Sequence, residues 1–326
     1  MEKILIVGYK HDYTMDIIPS SMKSVTYSYR EYSSVLLKVF RRLWISFHLP
    51  YQEFWYACKD VNFSQYDIIL LYECMGAPEL IAFIRKKNPR CRIIYWQWNA
   101  VAGKDNVILY SPYQEFLSLL PLREKDDYRF EIWSFDQGDC EKYGLFYNNQ
   151  VAIRFPVEEV APEYDLFFCG QDKGRFFWLQ EIVALAETHH LSYNMFICPD
   201  KGAHYPQLEG ITLLNRNLSY IEMVHKLQRA SILVDLVQEG QRGLTWRPLE
   251  AMFYQKKLIT NYRNIVNYDF YSAENIFIIG QENPIEFVKF MEEPYQPVPE
   301  SIICKYEYTG WVKNFTTSSL ELPAKP

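Results

Sequence analysis

Two stretches of this chain place glycine and cationic side chains directly after an apolar run. Gly170-Gln171-Asp172-Lys173-Gly174-Arg175 follows Asp165–Cys169, and Gln238–Thr245, with Arg242, Gly243, Leu244 and Thr245, follows Ile232–Val237. Each precedes a segment with helical apolar spacing. Glycine lets backbone approach a ligand closely, and a helix start offers unpaired N–H groups and the positive end of a dipole. Lys173, Arg175, Arg242, Thr245 and Arg247 add donors. The chemistry expected of such loops is binding of phosphate, with Gly170 and Gly174 giving access and a helix from Leu244 to Tyr254 supplying amides. Glu250, placed about two turns into that helix, is suited to accept both hydroxyls of a ribose.

Other constellations read as structure. His189-His190 sit side by side at a helix end, where adjacent side chains diverge, so they are not a metal pair. Asp136 and Asp139 open a short helical stretch ending at Gly144, and capping explains them better than acid–base work. The seven cysteines are scattered with no CxxC pair, which argues against a disulfide frame or a structural zinc and suits a reducing compartment. No Asp-x-Asp motif appears, and no metal or other cofactor is expected.

The elements that must position these loops alternate. Short apolar runs read as buried parallel strands at 4–7, 66–72, 92–96 and 130–133, and again at 165–169, 193–198, 211–214, 232–237, 257–260 and 276–279. Helical segments are expected at 31–47, 78–87, from 175 to about 189, 219–229 with a Ser219/Glu222 capping box, 244–254 and 284–291. The polar, Tyr-rich stretch 9–30 reads as a loop, and 147–164, with Pro156 and Pro162, as a linker. The βα pattern thus runs twice. It predicts an α/β chain of two Rossmann-like, doubly wound domains facing a cleft, with ligands at the carboxyl ends of the strands. The expected division is 1–155, 156–300, and a segment 301–326 packing back on the first domain.

Composition narrows the classes. A net charge of −6 carries no nucleic-acid footprint, and 49% hydrophobic with 23% charged residues is ordinary for a globular chain. The 17% aromatic content suits sugar stacking as well as cores. The first apolar run is too short for a signal peptide, and no run is long enough to span a bilayer, so a cytoplasmic protein is expected. One local exception is 35–47, where Lys38, Arg41 and Arg42 stand among Leu36, Phe40, Trp44 and Phe47. It reads either as a core helix with a basic outer face or as a helix resting on the anionic inner face of a membrane.

The succession Ser219–Glu222, Ala230–Val234, Glu239-Gly240, Gly243-Leu244, Leu249–Met252 and Lys257–Thr260 resembles the donor half of GT-B glycosyltransferases. The earlier stretches Trp133–Asp136, Lys142–Leu145, Phe155–Val157 and Leu166–Gly170 resemble that superfamily's crossing between domains. The style is most similar to bacterial transferases that build lipopolysaccharide or capsule. The resemblance covers about 130–280. It implies a nucleotide-sugar donor, Glu250 as the ribose ligand, Lys173 and Arg175 on the diphosphate, and an oligosaccharide or lipid-linked acceptor. Many retaining members carry a second glutamate eight positions before the first. Arg242 stands there in this chain, so stereochemistry is open.

An inverting transfer needs a general base within reach of the acceptor hydroxyl. The candidates after strands of the first half are Asp12 and Glu73, then His11, with Asn99 suited to positioning a hydroxyl. Two other readings remain open from the residues: a nucleotide-sugar epimerase of the same architecture, and a non-enzymatic sugar-binding protein.

Overall fold

The computed structural model describes residues 2–8, 23–25, 29–30, 32–47, 49–72, 74, 76–101, 112–156, 160–200, 202–206, 210–280 and 284–316. The chain divides into two compact units, Met1–Asn149 with Val312–Pro326, and Gln150–Trp311.

The first unit runs β1 (Ile4–Gly8), β2 (Lys23–Val25), α1 (Val35–Ser46), β3 (Ile68–Tyr72), α2 (Ala77–Lys87), β4 (Arg92–Gln97), α3 (Pro112–Leu119), β5 (Glu131–Ser134), α4 (Gln137–Tyr143) and β6 (Phe146–Tyr147). Its sheet has the order β2-β1-β3-β4-β5-β6, with every pairing parallel. Strand β3 is buried along its whole length, and Ile93–Gln97 of β4 likewise. Both faces are therefore covered, which is why these strands read as unbroken apolar runs. Lys23–Val25 was expected to be loop. It has no apolar run of its own and is specified by pairing with β1, Leu5 opposite Lys23 and Val7 opposite Val25. Asp136 caps α4 by accepting from the Asp139 amide at 3.0 Å, and Gly144 closes it in the left-handed conformation.

The second unit runs β7 (Tyr164–Gln171), α5 (Phe176–Thr188), β8 (Tyr193–Cys198), β9 (Ile211–Leu213), α6 (Tyr220–Leu227), β10 (Ala230–Asp235), α7 (Arg247–Phe253), β11 (Lys257–Thr260), β12 (Ile276–Ile278), α8 (Pro284–Glu292), α9 (Glu300–Tyr306) and the start of α10 (Tyr308–Thr316), whose residues from Val312 belong to the first unit. Its sheet has the order β12-β11-β10-β7-β8-β9, again all parallel. The expected capping box is present: the Ser219 side chain accepts from the Glu222 amide, and the Glu222 carboxylate accepts from the Ser219 amide. Within the expected linker, Val151 and Ala152 are fully buried, and the Ala152 amide donates to the Tyr306 carbonyl at 3.2 Å. That piece of backbone belongs to the second unit's packing. Beyond it, the end of α10 returns to the first unit, where the Arg92 guanidinium donates to the Phe315 carbonyl at 2.6 Å.

Strand order fixes where each sheet opens. In the first unit the chain winds one way from β1 to β2, then returns to the other side of β1 at β3. In the second it runs from β7 out to β8 and β9, then returns to β10 on the opposite side of β7. The two connections diverge there and leave a crevice at the carboxyl ends of β7 and β10.

Helix α1 departs from the core-helix reading. Ser34 caps it, but none of its residues is buried. Among the described residues, no helix is long and apolar enough to cross a membrane.

Candidate functional site

Gly170 and Gln171, expected in the loop, are the last residues of β7, which enters the loop Asp172–Arg175, and β10 ends on Asp235. The short α5 entry is tightly built. Asp172 is buried, and its carboxylate accepts from the Phe176 amide at 2.8 Å and from the Tyr205 hydroxyl. The Asp172 amide donates to the Cys198 carbonyl at 2.9 Å, the Lys173 amide to Asp200 Oδ1 at 3.2 Å, and the Arg175 amide to the Asp172 carbonyl at 2.9 Å. Lys173 and Gly174 both take positive φ, 48° and 79°, so the chain turns sharply enough for glycine to be favoured at the second position. The loop's amides thus serve its own shape. What it offers a ligand is side chains.

Arg175 is the side chain so presented. Its Nη1 donates to the Gln171 carbonyl at 3.1 Å, and that is the one hydrogen bond its guanidinium makes among the described residues. Its Nε is buried with no partner there. A Cβ on residue 170 would lie 3.5 Å from Arg175 Nη1, an ordinary contact, and 3.3 Å from Phe168 Cζ, so it is the Phe168 ring that glycine at 170 spares. Burial pulls the Arg175 pKa down, and the Asp235, Asp172 and Asp200 carboxylates oppose that. The group keeps its charge at neutral pH, because arginine starts above 12.

Asp235 is the carboxylate that opposes that shift most, without forming an ion pair with Arg175 among the described residues. It is buried, accepting from Thr245 Oγ1 at 2.6 Å and Thr260 Oγ1 at 3.3 Å. Desolvation raises its pKa, against the Thr245 hydrogen bond and the Arg175 and Arg247 charges. Sequence reasoning passed over this residue. The available signal was a carboxylate closing an apolar strand, Ala-Ser-Ile-Leu-Val-Asp.

Arg247 is committed to the fold. Nη1 pairs with Glu250 Oε2 at 2.6 Å and reaches Met223 Sδ at 3.1 Å, and Nη2 donates to the Cys169 carbonyl at 3.2 Å. Glu250 is 1% exposed. It also helps raise the neighbouring Tyr220 and Tyr254 phenols, the latter to about 12, although burial is the larger cause for both.

Helix α7 corrects an expectation. It starts at Arg247, not at Leu244, and all seven of its residues are buried. Gly243 therefore does not abut a helix N-terminus. Pro248 sets the start, because its missing N–H and fixed φ fit a first turn. Glu250 accordingly lies in the first turn. Gly243 and Leu244 are buried in the preceding loop, where the Gly243 carbonyl accepts from Gln241 Nε2 at 2.9 Å and the Leu244 carbonyl from Gln150 Nε2 at 3.5 Å. Arg242 and Lys173 are exposed.

So the fold gathers Gly170, Arg175, Thr245 and Glu250 around Asp235 and Arg247. Beside them, Gln171, Cys198, Asp200 and Asn215–Asn217 line a depression of about 330 Å³ at the ends of β7, β8 and β9. His11, Asp12 and Glu73 lie outside the described residues. Asn99 is described, and its carbonyl accepts from Gln97 Nε2 at 2.9 Å. Among the described residues the one three-membered cluster with metal-ligand spacing is Glu300, Cys304 and Glu307. Arg154 already pairs with both of its carboxylates, 2.9 Å from Glu300 and 3.9 Å from Glu307.

No protein-family model matches the chain. No curated protein matches it either. Solved structures do. An alpha-glucosyltransferase in complex with UDP-glucose and DNA containing an abasic site is 9% identical with a TM-score of 0.53, covering 97% of this chain and 98% of its own. An alpha-glucosyltransferase in complex with UDP is 9% identical with a TM-score of 0.52, covering 97% and 99%. The apo form of the lipopolysaccharide outer core galactosyltransferase WaaB is 15% identical with a TM-score of 0.48, covering 96% and 98%. The chain has the two-domain α/β fold of the GT-B glycosyltransferases.

Proposed function

We propose that the protein is a glycosyltransferase moving a sugar from a nucleoside-diphosphate sugar onto a growing cell-surface glycan of the lipopolysaccharide or capsule class. The observation that carries this reading is Arg175, a half-buried guanidinium with one hydrogen bond and a buried, unpartnered Nε, at the crevice where the connections after β7 and β10 diverge. A fixed, partly buried cation is worth most where negative charge develops. In glycosyl transfer that is the departing diphosphate. The likeness to transferases solved with UDP-glucose and UDP supports the same choice of ligand.

In this reading the bond from the anomeric carbon to the diphosphate oxygen breaks, and the electron pair stays on the diphosphate. Arg175 meets that charge and Lys173 adds a second cation from the exposed rim. The acceptor hydroxyl oxygen forms the new bond. If the transfer inverts, its proton goes to a base, with Asp12 and Glu73 ranked before His11. Glu250 takes the ribose hydroxyls while Arg247 fixes its carboxylate. The depression lined by Gln171, Asp200, Asn215, Arg216 and Asn217 takes the nucleobase, whose polar edge meets both donors and acceptors there. No divalent ion is assigned a part.

A thermal-shift screen of nucleoside mono- and diphosphates tests the reading. A diphosphate at a hundred times its Kd stabilises by about 2.7 kcal/mol, a shift of roughly 5 to 10 °C for domains of this size. The shift should vanish in Arg175→Ala. No stabilisation by any nucleotide, or an undiminished shift in that variant, overturns it.

A further inference from the structure

Helix α1 wears its apolar face outward. Successive residues advance 100°, so Val35, Leu36, Val39, Phe40, Leu43 and Phe47 fall in one arc of about 140°. All six are exposed, Leu36 by 81% and Phe47 by 70%. Trp44 and Ile45, on the other side, pack against the first unit's core. Of the seventeen exposed large hydrophobic residues among those described, ten lie between Val35 and Phe54. Single exposed apolar residues need no explanation, but a contiguous patch does.

The charge around the patch says what covers it. Residues 35–54 contain Lys38, Arg41 and Arg42 against a single carboxylate, Glu53, in a chain with 40 Asp and Glu and a net charge of −6. Arg41 is held by the fold, donating to the Arg30 carbonyl and lying 5.4 Å from the Tyr29 ring centroid. Lys38 and Arg42 are exposed at the edge of the apolar arc, with no ion-pair partner among the described residues. Six apolar side chains edged by two cations match a surface that is oily beneath and anionic above. A second copy fits less well, because a two-fold interface sets the same patch against itself and brings like charges together.

We propose that α1 docks the protein peripherally on an anionic phospholipid bilayer, with Val35, Leu36, Val39, Phe40, Leu43 and Phe47 entering the interface and Lys38 and Arg42 at the headgroups. This does not depend on the reading of the second unit as a donor site.

The test is flotation of the full chain with vesicles of phosphatidylglycerol and phosphatidylcholine in equal parts, and of phosphatidylcholine alone. The protein floats with the mixed vesicles and not with the neutral ones. Replacing both Lys38 and Arg42 by Ala lowers partition roughly 25-fold, at about fivefold per cation. Leu36→Glu with Phe47→Glu abolishes it. Both positions face solvent, and a far-ultraviolet melting curve confirms that the variants fold. Ile285→Glu, at a 79% exposed position in the second unit, leaves partition unchanged. The proposal is overturned if the wild type floats with neither vesicle, or if the Leu36/Phe47 variant binds as well as the wild type. It is also overturned if the wild type is a dimer that this variant dissolves.

Discussion

The donor edge of the second unit and helix α1 of the first break the same rule in opposite directions. At the carboxyl ends of β7 and β10 charges are turned inward: Asp235, Arg247 and Glu250 are buried, and Arg175 is half-buried. On α1 apolar side chains are turned outward. Burying charge or exposing a large apolar face costs free energy, and a fold keeps either arrangement where another molecule offsets the cost. Two of the inward charges are already matched, Arg247 by Glu250. Arg175 is not, and in that respect it resembles Leu36 and Phe47: its surroundings within the chain are incomplete.

The sharpest way to break the comparison is within the donor edge. Arg247→Ala strands the Glu250 carboxylate in the core and should cost about 3 to 5 kcal/mol of stability in urea melts. Arg175→Ala should leave the melting temperature within about 2 °C, because it removes a desolvated charge with one hydrogen bond. Its cost should appear instead in kcat/KM, lowered about 10²- to 10³-fold. A large loss of stability in Arg175→Ala would make it a structural cation like Arg247. Neither variant should alter vesicle flotation, and the α1 variants should leave nucleotide binding unchanged.

Glu250→Gln comes next. Alanine would leave Arg247 unpaired, so glutamine, which keeps the shape, is the cleaner probe. Loss of a charged acceptor for ribose should raise the nucleotide Kd about tenfold or more by calorimetry. An unchanged Kd would assign Glu250 to the Arg247 pair alone.

The pH dependence of Asp235 is a smaller effect with a definite sign. Its folded pKa lies above the ordinary 3.8, through desolvation. The folded state therefore holds that proton more tightly than the unfolded one. Stability from this group is complete below the unfolded value and falls as pH rises through the folded value. The melting temperature of Asp235→Asn relative to wild type should accordingly climb as pH rises above 3.8. A flat difference would mean that Arg175 and Arg247 fully compensate the carboxylate. Smallest is Ser219→Ala, which removes half of a capping box, costs about 1 kcal/mol, and should leave vesicle flotation intact.

Much of this was legible in the chain. The apolar runs of β1, β3, β4, β7, β10 and β11 announced a parallel sheet, because strands covered on both faces cannot alternate. The Ser219/Glu222 box and the Asp136 and Gly144 caps are local chemistry, and they stand where local chemistry puts them. A turn was expected from the glycines after the apolar run of β7, and the chain turns there at Lys173 and Gly174. Lys23–Val25 was missed because its strand character comes from a neighbour. The helix after Gly243 was begun early because glycine was weighed and Pro248 was not.

What the sequence could not decide is which charges the fold consumes. Arg175, Arg242 and Arg247 are equivalent on paper, and Lys38, Arg41 and Arg42 are too. Packing distinguishes them: it seats Arg247 on Glu250 and the Cys169 carbonyl, spends Arg41 on Arg30, and leaves Arg175, Lys38 and Arg42 with capacity to spare. Periodicity likewise defined the apolar face of α1 but not its direction. That was settled when Trp44 and Ile45 met the core, because burial depends on what the rest of the chain brings into contact.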